Sequence, residues 1–328
     1  MTLIKRMKKI IIFFPIFIII MIISLTDLAK ADGIKLSVLK YGTVNWELNV
    51  IKHYGLDKKY GIHLDITYLS SKNANHIALL SNEVDMIVTD WVWVSRQRDA
   101  GTDFTLVPYS TSAGAIMVPE NSKIKKMEDI KGHKIGIAGG SIDKSWILIR
   151  AYSLKILNFD ISKSIEAAYA APPLINAMVI RNELDGALNF WNYTARLKAR
   201  GLRKVISVSD ILPELGIGDN LPLIGYVFSA KWAKENPKML QGFLEASHEA
   251  RQVLYNNDSE WDRIKDITGA KNAETLIALR DVFRSGIPDR NKDYTESIKK
   301  AFKILASIGG KDLVGKSKEL ANGVIWSQ

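Results

Sequence analysis

The chain has 328 residues, a formal net charge of +10 and no cysteine. The lack of cysteine excludes a disulfide framework, a thiolate metal site, a cysteine nucleophile and a lipid-modified cysteine tether. The length supports a large buried core and favours two lobes over one.

The first 31 residues read as a targeting segment. Lys5, Arg6, Lys8 and Lys9 precede an apolar run from Ile10 to Leu25, and Ala29-Lys30-Ala31 gives a small-x-small cleavage pattern before Asp32. A basic start, a short apolar stretch and that ending describe a secretory signal peptide, and the run falls short of the roughly 20 residues a spanning helix needs. Residues 1–31 are therefore expected to be cleaved, leaving an exported periplasmic protein. The charges beyond residue 31 are interspersed, with only short clusters such as Lys123 to Lys126. That is the pattern of a solvated surface, so no nucleic-acid partner is expected.

Strand-like and helix-like stretches then alternate. "IKLSVL" (34–39) predicts a strand and "NWELNVIKHYGL" a helix with Asn45 as N-cap; "IHLDITYL" (62–69) is a strand, followed by a helix opened by Ser71 or Asn73. "VDMIV" (84–88) is the third strand, and Thr89 or Asp90 caps the next helix. Such alternation implies βαβ units and a mostly parallel sheet. "FTLVPYSTSAGAIMVP" (104–119) breaks the rhythm, with two apolar runs about a small polar centre, and marks the chain leaving the first lobe. Alternation restarts with "KIGIA" (134–138), a helix from Ser141, "IEAAYA" (165–170), a helix from Pro173, "DGALNF" (185–190), a helix from Trp191 and "KVISV" (204–208). "LPLIGYVFS" (221–229) is the return crossing, and the remainder from Lys231 is helical in pattern. The expected fold class is α/β, with two lobes, a hinge and an interlobe cleft. Lobe I would hold residues 32–112 and 229–328, and lobe II residues 113–228.

In open parallel sheets ligands bind beyond the carboxyl ends of the strands. Four loops there carry unusual residues: Tyr41, Asn45 and Trp46; Asp90 and Trp91; Gly139, Gly140 and Ser141; and Trp191 with Asn192. Ser112, in the first crossing, joins them as a candidate. Trp93 stands two residues beyond Trp91, about 200° round a helix, so the expectation is Trp91 in the cleft and Trp93 in the core. A single tryptophan is as readily a core residue, but three at one rim beside Asp90 suit a flat ring or an amine. Arg96 and Arg98 are expected to be exposed. "GGSIDKS" is not a phosphate loop, because Asp143 rather than glycine precedes Lys144. Gly140 and Ser141 would instead offer a tight turn and donors at a helix start. The five histidines (His53, His63, His76, His133, His248) lack ligand spacing, so neither metal nor cofactor is expected. No nucleophile-elbow, zincin or dinucleotide motif is present, and no catalytic residue is assigned.

"MEDIKGHKIGIAGGS", "LSNEVDMIVTDW" and "RNELDGALNFWNYTARL" together resemble the signature segments of bacterial extracytoplasmic solute-binding proteins. The whole chain beyond the signal is similar to the nitrate/sulfonate/taurine and thiamine-pyrimidine-precursor group of ABC-transporter binding proteins. That resemblance implies a type II periplasmic binding fold, a small-molecule ligand, and an ABC permease as partner to a monomer that performs no chemistry. It places Asn45-Trp46, Asp90-Trp91, Gly140-Ser141 and Trp191-Asn192 in ligand-lining loops. Members that bind the thiamine pyrimidine tend to carry a glutamate where Thr194 follows "WNY" here, and the yeast-type pyrimidine synthases of the same fold use a cysteine-rich motif. An enzyme on this fold and an exported sensor domain are the alternative readings. The rim, read as tryptophans, asparagines, Asp90 and one glycine-serine turn, favours a small heterocycle or amine over an inorganic anion.

Overall fold

The computed structural model describes residues 33–327; the expected signal segment lies outside the described residues. Ten strands form two five-stranded sheets. The first half of the chain contributes β1 (Gly33–Leu39), α1 (Val44–Tyr54), α2 (Leu56–Lys59), β2 (His63–Leu69), α3 (Lys72–Leu80), β3 (Met86–Thr89), α4 (Trp91–Asp99) and β4 (Phe104–Ser110). The chain then crosses to β5 (Ala115–Val118), a 3-10 turn (Met127–Ile130), β6 (Lys134–Ala138), α5 (Lys144–Lys155), α6 (Ile161–Ser164), β7 (Glu166–Ala170), α7 (Pro172–Ile180), β8 (Gly186–Asn189), α8 (Trp191–Lys198), β9 (Arg203–Ser207) and α9 (Val208–Ile211). It returns through β10 (Ile224–Ser229) and ends in α10 (Ala230–Glu235), α11 (Pro237–Asn256), α12 (Asp258–Arg263), α13 (Lys265–Thr268), α14 (Ala273–Ser285) and α15 (Thr295–Val314).

The sheet orders are β2-β1-β3-β10-β4 and β7-β6-β8-β5-β9. In each, the fourth position holds the strand delivered by a chain crossing, and that strand runs antiparallel to both neighbours. The plan repeats in detail one hundred positions apart. Asn82 and Asn182 both take φ 58° after the helices α3 and α7, a left-handed turn that asparagine tolerates better than most residues. Asp85 and Asp185 then accept the backbone N–H groups of Lys35 and Lys134, each at 2.8 Å. Trp91 and Trp191 open the equivalent helices α4 and α8.

Local chemistry sets most of these boundaries. Ser71 caps α3 by accepting the Ala74 N–H, Asp90 caps α4 by accepting that of Trp93, and Gly55 ends α1 in a left-handed turn. Two expectations are corrected. Asn45 lies inside α1, one residue past its start, and its Nδ2 donates to the carbonyls of Leu39 and Lys40. The helix expected from Ser141 begins at Lys144, because Gly139 and Gly140 take φ values of 85° and 89° and delay it until Asp143 accepts the N–H groups of Ser145 and Trp146.

The largest apolar core is shared by both sheets. Ile87 and Leu106 from the first, Ile116 and Ile135 from the second, and Phe302 and Leu305 of α15 belong to one continuous cluster. The C-terminal helix α15 packs on α5 and on α4, while α14 packs on α8. Burying this much apolar surface between the halves favours their association in proportion to the area removed from water. The tail adds a short parallel bridge to the outer edge of β4: Leu106 N–H donates to Val324 O at 2.8 Å, and Trp326 N–H to Leu106 O at 3.0 Å. No helix among the described residues is long and apolar enough to cross a membrane.

Gly114 stands where the first crossing enters β5. A Cβ there would collide with the Asn189 carbonyl oxygen, and Gly114 O accepts the Val208 N–H at 2.9 Å. Gly114→Ala is expected to cost roughly 1–3 kcal/mol, measured as a lower urea midpoint; an unchanged midpoint would mean that the crossing relaxes freely.

Candidate functional site

The carboxyl ends of the parallel strands of both sheets face each other, and side chains meet across them at Asp90–Lys144 and at Trp46–Trp191. At one end of this cleft Lys144 Nζ, on the first residue of α5, donates to Asp90 Oδ2 at 2.9 Å, with side chains only 16% and 14% exposed. At the other, the indole rings of Trp46 and Trp191 meet edge to face with centroids 5.8 Å apart. The cleft thus has an ionic end and an aromatic end.

At the ionic end Asp90 does two jobs, because its Oδ1 also accepts the Trp93 N–H at 3.0 Å as the cap of α4. Burial opposes its ionisation, but the ammonium groups of Lys144 and Lys72 outweigh that and hold the carboxyl down to about 2. Burial likewise works against the Lys144 ammonium, and the carboxylates of Asp90 and Asp143 overcome it, so its pKa lies above the ordinary value. Lys72, the first residue of α3, is exposed; repulsion from Lys144 and desolvation pull its pKa down. Burial raises that of Asp143, the α5 cap. The charges of Lys72, Asp90, Asp143 and Lys144 thus influence one another, and the direct contact is Lys144 with Asp90.

The aromatic end is densely packed. Trp46 is 3% exposed and also meets Trp261 and Phe283 at 5.7 and 5.9 Å. Trp191, Tyr109, Ser110, Arg251, Phe283, Gly286 and Ile287 line a cavity of about 10 Å³, space for about one water. Arg251 lies over the Tyr109 ring at 5.2 Å and donates through Nε to Glu47 Oε2 at 2.8 Å, while Tyr226 donates to Glu47 Oε1 at 2.7 Å. Glu47 is fully buried and its carboxylate is held by Arg251 and Tyr226. The Tyr109 hydroxyl and Asn45 Oδ1 are buried without a hydrogen-bond partner, groups that a ligand or water would satisfy.

The structure brings together Asp90, Trp46 and Trp191 at the cleft but not Trp91. Trp91 is fully buried, donates from Nε1 to Pro222 O at 2.7 Å and packs on Phe302. The expectation for Trp91 is corrected, while Trp93 packs against the core as expected, half-buried and stacked between His76 at 4.1 Å and Phe104 at 5.6 Å. The reason is tertiary, because the second crossing and α15 fill the space onto which the first residue of α4 faces. Ser112 is tied down instead of free, its Oγ donating to Val282 O at 3.0 Å. Gly140 sits in the turn before α5, Ser141 is exposed there, and Asn192 is half-buried in the first turn of α8. Arg96 is exposed as expected, whereas Arg98 is half-buried and donates to Phe104 O at 2.8 Å. Sequence reasoning missed Lys72, Lys144, Tyr109 and Arg251. Lys144 was in view only as part of a failed phosphate loop, and Arg251 carries no local signal on an amphipathic helix. The rim is therefore not free of cations, contrary to expectation. Among the described residues no group of three or more His, Asp or Glu side chains is placed to hold a metal ion.

These features, two α/β sheets joined by two crossings with residues of both facing across one cleft, define a two-lobed α/β fold. The likeness to solved structures establishes that fold. The periplasmic aliphatic sulphonate binding protein SsuA from Escherichia coli superposes with a TM-score of 0.72 at 19% identity, covering 90% of this chain and 92% of that one. The alkanesulfonate-binding protein SsuA from Xanthomonas axonopodis pv. citri, bound to MOPS, gives 0.63 at 15% identity over 90% and 98%. The chain belongs to the NMT1/THI5 like family, whose model matches residues 50–261. A relative named as an aliphatic sulfonates-binding protein of Escherichia coli (strain K12) is 30% identical over 156 residues, 46% of this chain, and the match spans 45% of that relative's length.

His76 makes the ionic end sensitive to acid. Its Nε2 lies 2.9 Å from Thr89 Oγ1; burial holds the imidazole down to about 4, with Asp90 opposing and Lys72 reinforcing the effect. An unfolded histidine titrates near 6.5, so between those values the unfolded chain binds a proton that the folded one refuses. Stability is complete above the unfolded value and falls as pH drops through the window. Between pH 7 and 4.5 the wild type is expected to lose roughly 2 kcal/mol more than His76→Asn in urea unfolding; parallel losses would show that the neutral imidazole is not responsible.

Proposed function

We propose that this protein is the solute-binding component of an ABC importer, working as a periplasmic monomer after removal of residues 1–31. In this reading lobe I holds residues 32–112 and 229–328 and lobe II residues 113–228. The lobes close about the two crossings, capture a small solute and present it to the permease, with no bond made or broken. The observation that carries the reading is the cleft itself, whose two ends are each built from one residue of either sheet. Membership of the NMT1/THI5 like family supports it, as do the names of the similar proteins.

The chemistry of the two ends also bears on the ligand. Ammonium groups of Lys144 and Lys72 gather at one end and indole and phenyl faces of Trp46, Trp191 and Phe283 at the other. A solute with an anionic head and an apolar body complements both, and an organic sulfonate has that form. We therefore infer an alkanesulfonate in place of an amine or heterocycle.

Thermal unfolding of the chain from Asp32 against ethanesulfonate, butanesulfonate, taurine, nitrate, primary amines and pyrimidines tests this. Alkanesulfonates are expected to raise Tm by about 5 °C at a hundredfold excess over Kd, and Trp191→Ala to weaken them at least about tenfold. Stabilisation by amines alone would reverse the ligand class, and a flat response to every solute would remove the import reading.

A further inference from the structure

Asp90 is placed as a ligand's head group would be. Its carboxylate comes from lobe I, projects across the cleft and lies 2.9 Å from an ammonium of lobe II, with both side chains largely removed from water. The position is not forced by the fold. Phe190 stands at the equivalent point of the repeat, one hundred positions on, and precedes α8 without any side-chain cap. The carboxylate is not needed merely to start α4 either, because asparagine, serine or threonine caps a helix as well. What the negative charge adds is a partner for Lys144. Lys72, on the same side as Asp90, feels both charges and has no hydrogen-bond partner among the described residues.

We propose that Lys144 forms an anion subsite of the cleft, and that Asp90 is a built-in competitor which occupies this subsite until an oxyanion displaces it. The inference rests on the import reading and deepens it, since it names the group that takes the ligand's head. The chemical class is a singly or doubly charged oxyanion, whether an organic sulfonate or an inorganic ion. When the anion takes Lys144, Asp90 keeps the Trp93 N–H and turns its charge toward Lys72 within its own lobe. The charge count explains why the site discriminates. Lys72 and Lys144 are balanced by Asp90 and Asp143, so the cluster draws in anions weakly as built, and one fewer carboxylate leaves it with an excess positive charge.

The test compares the wild type with Asp90→Asn, Lys144→Gln and the double variant. Asparagine retains the cap of α4 and removes only the charge, so folding is preserved. Sodium sulfate is the probe, with sodium chloride at matched ionic strength as control. Sulfate is expected to raise the Tm of Asp90→Asn by several degrees more than that of the wild type, and to leave the double variant at the chloride control. Isothermal titration should then give alkanesulfonate binding about tenfold tighter in Asp90→Asn and at least about tenfold weaker in Lys144→Gln. If Asp90→Asn responds to sulfate no more than the double variant does, Lys144 is not an anion subsite. If Asp90→Asn binds sulfonate more weakly than the wild type, Asp90 assists the ligand and does not compete with it. Should no alkanesulfonate bind the wild type, the substrate class proposed for import falls, while the sulfate contrast still decides the subsite.

Discussion

Each sheet is completed by a strand that arrives from the other half of the chain. β10 lies between β3 and β4, and β5 lies between β8 and β9, both antiparallel to their neighbours. Removing either strand would split its sheet and leave two unpaired edges. The same two strands lead directly from the crossings, where Thr111 N–H donates to Gly286 O at 2.8 Å and Leu223 N–H to Ser110 O at 3.0 Å. The hinge is thus hydrogen-bonded into the structure it joins, and the shared apolar cluster under α15 anchors it further.

A repeated plan need not repeat its chemistry. Asn82 and Asn182, and Asp85 and Asp185, perform the same tasks in the two halves. At the next equivalent positions the halves diverge: Asp90 faces a cation where Phe190 stands, and Trp91 is sealed under Phe302 and Pro222 where Trp191 lines a cavity with Arg251. The backbone frame places one residue of each kind at the rim, and side-chain identity then makes one end of the cleft ionic and the other aromatic.

The alternation of strand and helix was legible in the sequence because its causes are local. The short apolar run of β1, serine and aspartate caps at Ser71 and Asp90, and a glycine stop at Gly55 lie within a few residues of the elements they define. The crossing at residues 104–119 was legible for the same reason, since two short apolar runs with no room for a helix must enter different neighbours. The fate of each tryptophan was not. Trp91 is buried by Pro222 and Phe302, groups far along the chain that no local pattern ties to it. Lys144 was hidden in the same way: its partner Asp90 lies in the other sheet, and spacing around "GGSIDKS" describes only the turn. Arg251 is the extreme case, an arginine on a helix whose meaning depends on a buried glutamate near the start of the fold.

The short bridge between β4 and residues 324–326 has a consequence for the order in which the molecule is built. Every strand of the second sheet lies between Ala115 and Ser207, a contiguous stretch that can pair as soon as it emerges. The first sheet begins earlier in the chain yet waits for β10, and the outer edge of β4 waits for residues 324–326. The part synthesised first is therefore finished last, and a polypeptide arriving from its N-terminus holds an incomplete sheet open while its later half consolidates. Any assistant that shields nascent chains has its longest task on β1 to β4, and residues 324–326 act as the closing stitch.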